Sequence, residues 1–483
     1  MRNYTNTLIL LSAVTLGFLG LTACDQTINR DPAQSIPPDQ VFVDEAGVET
    51  AVNGAYDALQ LGGSFGGTAF QFADIGADIV QFGGSFVEFR RINRYNFTIN
   101  NGFVTDIWVD NYELINRANL VIDNTSTDVE DVNQADVDRY VGQAKFLRAA
   151  AYWQLVRWFG PRYVPGGSND SPAAVLRTSA VTESQQASEK SRASVAEIYS
   201  QIVSDLQDSI SRLGVNANPK RAGVNAARAL LAEVRLYQGD FDDAASLANT
   251  VISSSEYSLA SSPIAPFKNE QNDELVFSIS FSSIDGVPDA ANQGFHTFYQ
   301  PAARGGRGDA FPFDAFLQDG ADGDLRTGVD DEALGDSLFY SSAGSNFTNK
   351  FTSPQFADDF TWLRLAKTKL TRAEALIRPV GSASASDQSD ARSIVNEIRT
   401  RAGLSPVSSS LSGQALLDEI ISQRRFELAF EGDRRHTLRR LQRPIDNPVL
   451  SSPITPGSDR LVLPLTTALL ERNGELSQNP GYN

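Results

Sequence analysis

The sequence predicts a mainly α-helical fold in which paired helices support an irregular, loop-rich region with a few short strands. Three observations carry this. Apolar residues recur at helical spacing through residues 140–160, residues 222–252 read as two helices joined by a tight turn, and strand-like runs are short and scattered. A chain of 483 residues can bury a large core without cross-links, and a single cysteine excludes an intramolecular disulfide.

The N-terminus reads as targeting. Arg2 is followed by the apolar run LILLSAVTLGFLGL at 8–21 and then by small residues, which matches a secretory signal and is short for a membrane span. Leu21-Thr22-Ala23-Cys24 resembles a bacterial lipobox. That resemblance implies cleavage before Cys24, with Cys24 as the lipid-attachment residue. Acyl chains contribute about 0.8 kcal/mol per buried methylene, so several on one residue hold a protein at a membrane. An ordinary signal peptide with an incidental cysteine is the alternative. We therefore expect a signal at 1–23 and a flexible tether at 24–40, whose prolines and polar residues leave little to bury. One globular domain is expected over 41–483, with a helical scaffold over about 41–252 and 362–483 and a loop-rich excursion over about 253–361.

Within the scaffold, Ala144, Leu147, Ala151, Leu155 and Trp158 make one apolar stripe, and Gly160-Pro161 should stop the helix. Tyr152, Trp153 and Trp158 are expected to pack rather than to hold a ligand. In ALLAEVRLYQGDFDDAASLANTVI, small residues Ala232 and Ala244 fall where two helices approach, and the turn is Gln238-Gly239-Asp240; the spacing is that of a tetratricopeptide-type hairpin. Weaker echoes follow at 362–402, interrupted by a Ser/Ala-rich insertion at 381–389, and at 416–432. Few and separated, they argue for hairpins embedded in a larger domain rather than a free-standing solenoid. The excursion contains one convincing strand, Glu274–Phe281, and is where binding is expected, because long structured excursions on a rigid scaffold usually carry it.

The net charge of −18 argues against nucleic acid as a partner, since phosphates need a positive field. Lysine stands only at 145, 190, 220, 268, 350, 367 and 369; the other 34 positive residues are arginine. Signatures of metal or cofactor binding are missing: the two histidines, His296 and His436, are far apart, and there is no HExxH and no Gly-rich phosphate loop after a strand. No catalytic residue, metal or cofactor is expected. Asp319, Asp322 and Asp324 lack the spacing of a calcium loop and read as a solvated turn. In the charged segment 423–440 the helical spacing would pair Arg424 with Glu427, and Glu431 with Arg434 and Arg435, as a structural ion-pair lattice.

That segment, RRFELAFEGDRRHTLRR, resembles the ERRxELAFEGxRxxDLxR signature of the SusD/RagB family. GQAKFLRAAAYWQLVRWFG, the 222–252 hairpin, DLRTG at 324–328, LRLAKTKLTRAEALI, IVNEIRTRAGL and the closing LVLPLTTALLERNGELSQNPGYN resemble further family motifs in the right order. Gln423, Asp433, Thr437 and Pro464-Leu465-Thr466 depart from it. The resemblance implies a surface lipoprotein of the outer membrane that binds a nutrient, most often a glycan, without catalysis. Its implied partner is a SusC-like TonB-dependent transporter.

The family's ligand contacts are not carried by these motifs, so candidates rest on chemistry: sugars stack on aromatic rings and are oriented by polar side chains. Residues 71–91 offer Asp78, Gln81, Phe82, Phe86 and Phe89; residues 294–313 offer Phe298, Tyr299, Arg304, Arg307 and Phe311. For each phenylalanine the alternative is a place in the core. Two other functions remain open: a surface glycoside hydrolase using two carboxylates, and a scaffold binding peptide in its hairpin grooves.

Overall fold

The computed structural model describes residues 37–182, 188–268, 272–282, 294–353 and 357–482. The signal segment, Cys24 and all of the tether before residue 37 lie outside these residues.

In chain order the helices of seven or more residues are α1 (Glu45–Asp57), α2 (Thr68–Ile75), α3 (Val87–Asn93), α4 (Gly102–Asn124), α5 (Gln134–Phe159), α6 (Val195–Arg212), α7 (Val224–Gln238), α8 (Phe241–Ile252), α9 (Leu365–Ile377), α10 (Ala385–Arg401), α11 (Gly413–Glu427) and α12 (Arg434–Arg440). Their ends follow local chemistry. Reciprocal capping boxes, Asn133 with Asp136, Ser194 with Glu197 and Ser384 with Asp387, satisfy the free N–H groups that open α5, α6 and α10. Helix α5 stops at Gly160-Pro161 as expected. Gly239, at φ +80°, closes α7 in the left-handed conformation that a side chain would strain, and lets α8 fold straight back.

From α4 to α9 each helix packs on the next, and α9 packs on both α10 and α11. The stack is therefore more continuous than the separated echoes in the sequence indicate. What interrupts it in sequence, residues 253–361, does not interrupt it in space, because α8 lies directly against α9. Trp153, Trp158 and Tyr152 are fully buried within it.

Short strands serve the excursion and its contact with the scaffold, among them β1 (Val80–Phe82), β2 (Leu275–Ile279), β3 (Ala310–Pro312), β4 (Phe339–Ser342), β5 (Ser345–Thr348) and β6 (Phe360–Arg364). Strands β2 and β6 pair antiparallel and are buried along their whole length, so the two ends of the excursion are clamped together. Residues 362–364, which read as the start of a helix, belong to β6 instead. Their Trp, Leu and Arg side chains follow Phe360 and Thr361 into a ladder, and α9 begins only at Leu365. Likewise the Ser/Ala-rich insertion is partly helical, since Ser384 caps α10 at Ala385. Strands β4 and β5 form a hairpin around Ala343-Gly344, both at positive φ.

An aromatic core fills the space between excursion and scaffold. Phe295 stacks on Phe360 at 4.6 Å and on Phe351 at 4.8 Å, and Phe65 meets Trp362 edge-on at 4.6 Å.

The charged segment pairs at long range, not locally. Arg424 and Glu427 share α11 but are drawn to Asp433 and Arg364, and Phe430 at φ +65° with Gly432 at φ +70° turns the chain before α12, so Glu431 is not on one helix with Arg434 and Arg435. Buried Arg364 instead binds Glu274 at 2.7 Å, Glu427 at 2.8 Å and Glu431 at 2.9 Å. Arg401 also reaches Glu274 and Glu427, and Lys350 reaches Glu431. Despite burial, which would raise it, Arg401, Arg364 and Arg326 hold the Glu427 carboxyl well below its ordinary range. The lattice ties the excursion (Glu274, Asp324, Arg326, Lys350) to β6, α10 and α11.

Candidate ligand-binding face

The two stretches singled out for binding, 71–91 and 294–313, lie far apart in sequence and meet in space. Strand β1 leaves α2 through Ala77-Asp78-Ile79 and pairs antiparallel with β3, placing Gln81 opposite Phe311 and Phe82 opposite Ala310. The ladder continues past β1, where Gly83 N–H donates to the Asp309 carbonyl at 2.8 Å and Gly84 N–H at 3.2 Å. Glycine is needed at both positions. A Cβ at Gly83 would lie 2.7 Å from the Phe311 ring, and one at Gly84 would lie 2.5 Å from the Asp309 carboxylate.

On the other side, the turn 301–306 is closed by Arg307 N–H donating to the Thr297 carbonyl and Asp309 N–H to the Phe298 carbonyl. Arg307 is thereby presented beside Phe86, with its guanidinium carbon 4.9 Å from the ring centroid. Arg307 Nε donates to Asp309 Oδ2 at 2.7 Å, which fixes the guanidinium over the ring. Arg90 Nη2 donates to the Gly84 carbonyl at 3.0 Å and braces the facing turn. Gln81, Phe86, Arg307 and Phe311 are each half-buried. Together they offer an aromatic face, a second aromatic ring and two orienting polar groups, on an open surface rather than in a closed cavity.

Four other expected contacts are corrected. Phe298 and Tyr299 are 0% exposed, Phe89 is 1% exposed and Phe82 is 8% exposed. Phe298 packs against Phe89 at 5.1 Å and Phe82 at 6.0 Å. All five residues of the short helix Phe295–Tyr299 are buried, and Phe295, Phe298 and Tyr299 join Phe82 and Phe89 in the aromatic core. The Tyr299 hydroxyl donates to Asp74 Oδ2 at 2.8 Å. Asp78 is committed as well: Arg434 grips it with Nε and Nη2, both at 2.7 Å, and Arg425 approaches at 3.4 Å. Burial pushes that carboxyl up, and the two arginines more than reverse this and hold it low. Arg304 is spent on the Thr352 carbonyl, to which Nη2 donates at 3.2 Å. The Asp319–Asp324 run likewise faces arginines, with Asp319 paired to Arg425 at 2.7 Å and Asp324 to Arg326 at 2.8 Å.

Sequence reasoning missed Asp309 and Arg90. Asp309 had no strand-alternation signal, since Gly308 between it and Arg307 sits at φ +62° and the strand begins only at Ala310. Arg90 had none, because its role depends on the turn made by Gly83-Gly84.

Two family models match the chain in order: one described as starch-binding and associating with the outer membrane over residues 73–236, and the SusD family over residues 347–482. The chain belongs to the SusD/RagB family. A SusD-like protein of Formosa agariphila is 27% identical across the whole of both chains. Among solved structures, a SusD superfamily protein from Bacteroides thetaiotaomicron superposes with a TM-score of 0.80 at 21% identity, covering 91% of this chain and all of that one. A laminarin-binding SusD-like protein superposes with a TM-score of 0.70 at 21% identity, with 91% and 100% covered. At these identities the structures establish the SusD fold. The SusD/RagB models bracket the excursion, so much of the segment that carries β3 and Arg307 falls outside both matched ranges.

Proposed function

We propose that this SusD/RagB protein is a non-catalytic nutrient-binding lipoprotein that captures an oligosaccharide or polysaccharide fragment and delivers it to a TonB-dependent outer-membrane transporter. Residues 41–483 act as one unit, held at the outer membrane by lipid on Cys24 and exposed at the cell surface. The observation that carries the reading is the half-exposed Phe86 ring, with the Arg307 guanidinium held 4.9 Å from its centroid. It is a ready platform for one face of a sugar, with donors beside it for the hydroxyls. A laminarin-binding protein of the same fold supports a glucan as the first ligand to try.

The test is calorimetric titration of the mature protein with laminarin and with starch oligosaccharides, repeated with Phe86→Ala and Arg307→Ala. We expect saturable binding that weakens about tenfold or more in each variant, a cooperative unfolding transition retained in both, and recovery of the glycan at full length. Binding that ignores both substitutions, or shortened glycan after incubation, would overturn the proposal.

A further inference from the structure

Buried arginines in this protein are generally met by carboxylates: Arg148 by Asp205 at 2.6 Å, Arg326 by Asp324 at 2.8 Å, Arg440 by Glu374 at 2.6 Å, and Arg364 by three glutamates. One cavity breaks the pattern. Where α5 ends against α12 and the closing segment of the chain, a cavity of about 390 Å³ is lined by Arg162, Arg192 and Arg439. Among the described residues none of the three has an ion-pair partner. Arg439 spends its guanidinium on the carbonyls of Arg157 and Gly160. Arg192 donates to Asn479 Oδ1 at 2.8 Å and to the Ser477 carbonyl at 2.9 Å, and its Nε is buried without a partner. Arg162 donates only to the neighbouring Tyr163 carbonyl, at 3.1 Å. The sole carboxylate on the wall, Asp459, is exposed and pairs with none of them.

A guanidinium is costly to desolvate without an anion, and this concavity is lined by three. Burial pulls Arg439 down to about 9 and Arg192 down to about 10, the sign of charge held without compensation. That a chain of net charge −18 keeps such a spot is a cost that an anionic occupant would relieve. The remaining wall is suited to a small organic molecule: Pro161, Pro172, Pro456 and Pro480 present rings without N–H donors, and Gln478 and Ser477 lie among them. The volume falls within the usual range for small-ligand sites, and planar guanidinium forks favour carboxylate or sulfate oxygens.

We propose that this cavity is a second binding site, separate from the Phe86 face, for the carboxylate or sulfate group of a monosaccharide-sized anion. It shares no lining residue with the β1–β3 face, so its fate is independent of the glycan-binding proposal.

The test is calorimetric titration of the mature protein, at constant ionic strength, with sodium glucuronate, glucose 6-sulfate and uncharged glucose. Binding of glucuronate, glucose 6-sulfate or both is expected, without binding of glucose. Which anion binds tells a carboxylate site from a sulfate site. Arg192→Gln is expected to weaken the bound anion about tenfold or more and to leave laminarin titration unchanged. Should circular dichroism find Arg192→Gln unfolded, Arg162→Gln decides, since its guanidinium holds only one backbone bond. Equal binding of glucose and the anions, no binding of either anion, or wild-type affinity in the deciding variant would overturn the site.

Discussion

Arg424 and Asp433 form a buried two-point ion pair across the break between α11 and α12. Arg424 Nε donates to Asp433 Oδ2 at 2.9 Å and Nη2 donates to Oδ1, while Thr437 Oγ1 donates to the same Oδ2 at 2.8 Å. The SusD/RagB signature has aspartate where this chain has Thr437, and this chain carries its acid at 433. Both positions touch one guanidinium, so a carboxylate at either could serve Arg424. Removing one partner of a buried pair typically costs about 3–5 kcal/mol, and Asp433→Ala should lower the unfolding free energy by that order in urea denaturation. Asp433→His combined with Thr437→Asp should recover at least half of the loss. A double variant as unstable as the single one would mean that the two sites are not equivalent.

Arg364 offers a second measurement. Its guanidinium meets Glu274, Glu427 and Glu431 at once, a geometry that one ammonium cannot reproduce. Arg364→Lys keeps the charge and should still cost on the order of 3 kcal/mol, read as a lower denaturation midpoint. Near wild-type stability would show that charge alone suffices there.

Asp74 predicts a pH dependence. Burial pushes its carboxyl up to about 7, against hydrogen bonds from Tyr299 and Gly432 and the charge of Lys350 that pull it down; Glu431 adds to the rise. The folded state thus binds this proton more tightly than the unfolded chain. The resulting stability is complete below the unfolded carboxyl value of 3.8 and is lost as pH rises through about 7. Asp74→Asn should remove the effect, so its advantage over wild type grows between pH 5 and pH 8, by no more than about 3 kcal/mol. Melting curves that stay parallel across that range would sink the assignment. Glu427 acts oppositely: its depressed carboxyl contributes stability above the ordinary glutamate range, which is lost as pH falls through the folded value.

Phe298 and Phe311 looked alike as candidate platforms and should separate cleanly on substitution. Phe298→Ala empties part of the aromatic core and should cost about 3–5 kcal/mol. Phe311→Ala, at a half-buried position on the face, should cost about 1–2 kcal/mol and should lower glycan affinity. Thermal melts and titrations on both variants check this, and a stability ranking in reverse order would contradict the burial.

Much of the scaffold was legible because its signals are local. The stripe from Ala144 to Trp158, the glycine that ends α7 and the strand expected over Glu274–Phe281, which forms at Leu275–Ile279, each state their structure within a few turns of chain. The misread start of α9 shows the limit: FTWLR is helical by its neighbours and a strand only because β2 lies beside it. The ion pairs show the same limit more strongly, since Arg424 and Glu427 do share a helix and each is nevertheless drawn to a partner outside it, Arg424 to Asp433 and Glu427 to Arg364.

By itself the sequence determined the fold class, the family, the hairpin turns and the two stretches from which a binding face could come. Only the tertiary structure decided which of their aromatic rings face solvent, that Gln81 lies opposite Phe311, and that Arg307 rests on Phe86. The physical reason is that a helix or turn is specified by neighbours three or four residues away. Exposure and charge pairing depend on which distant segment supplies the opposing surface.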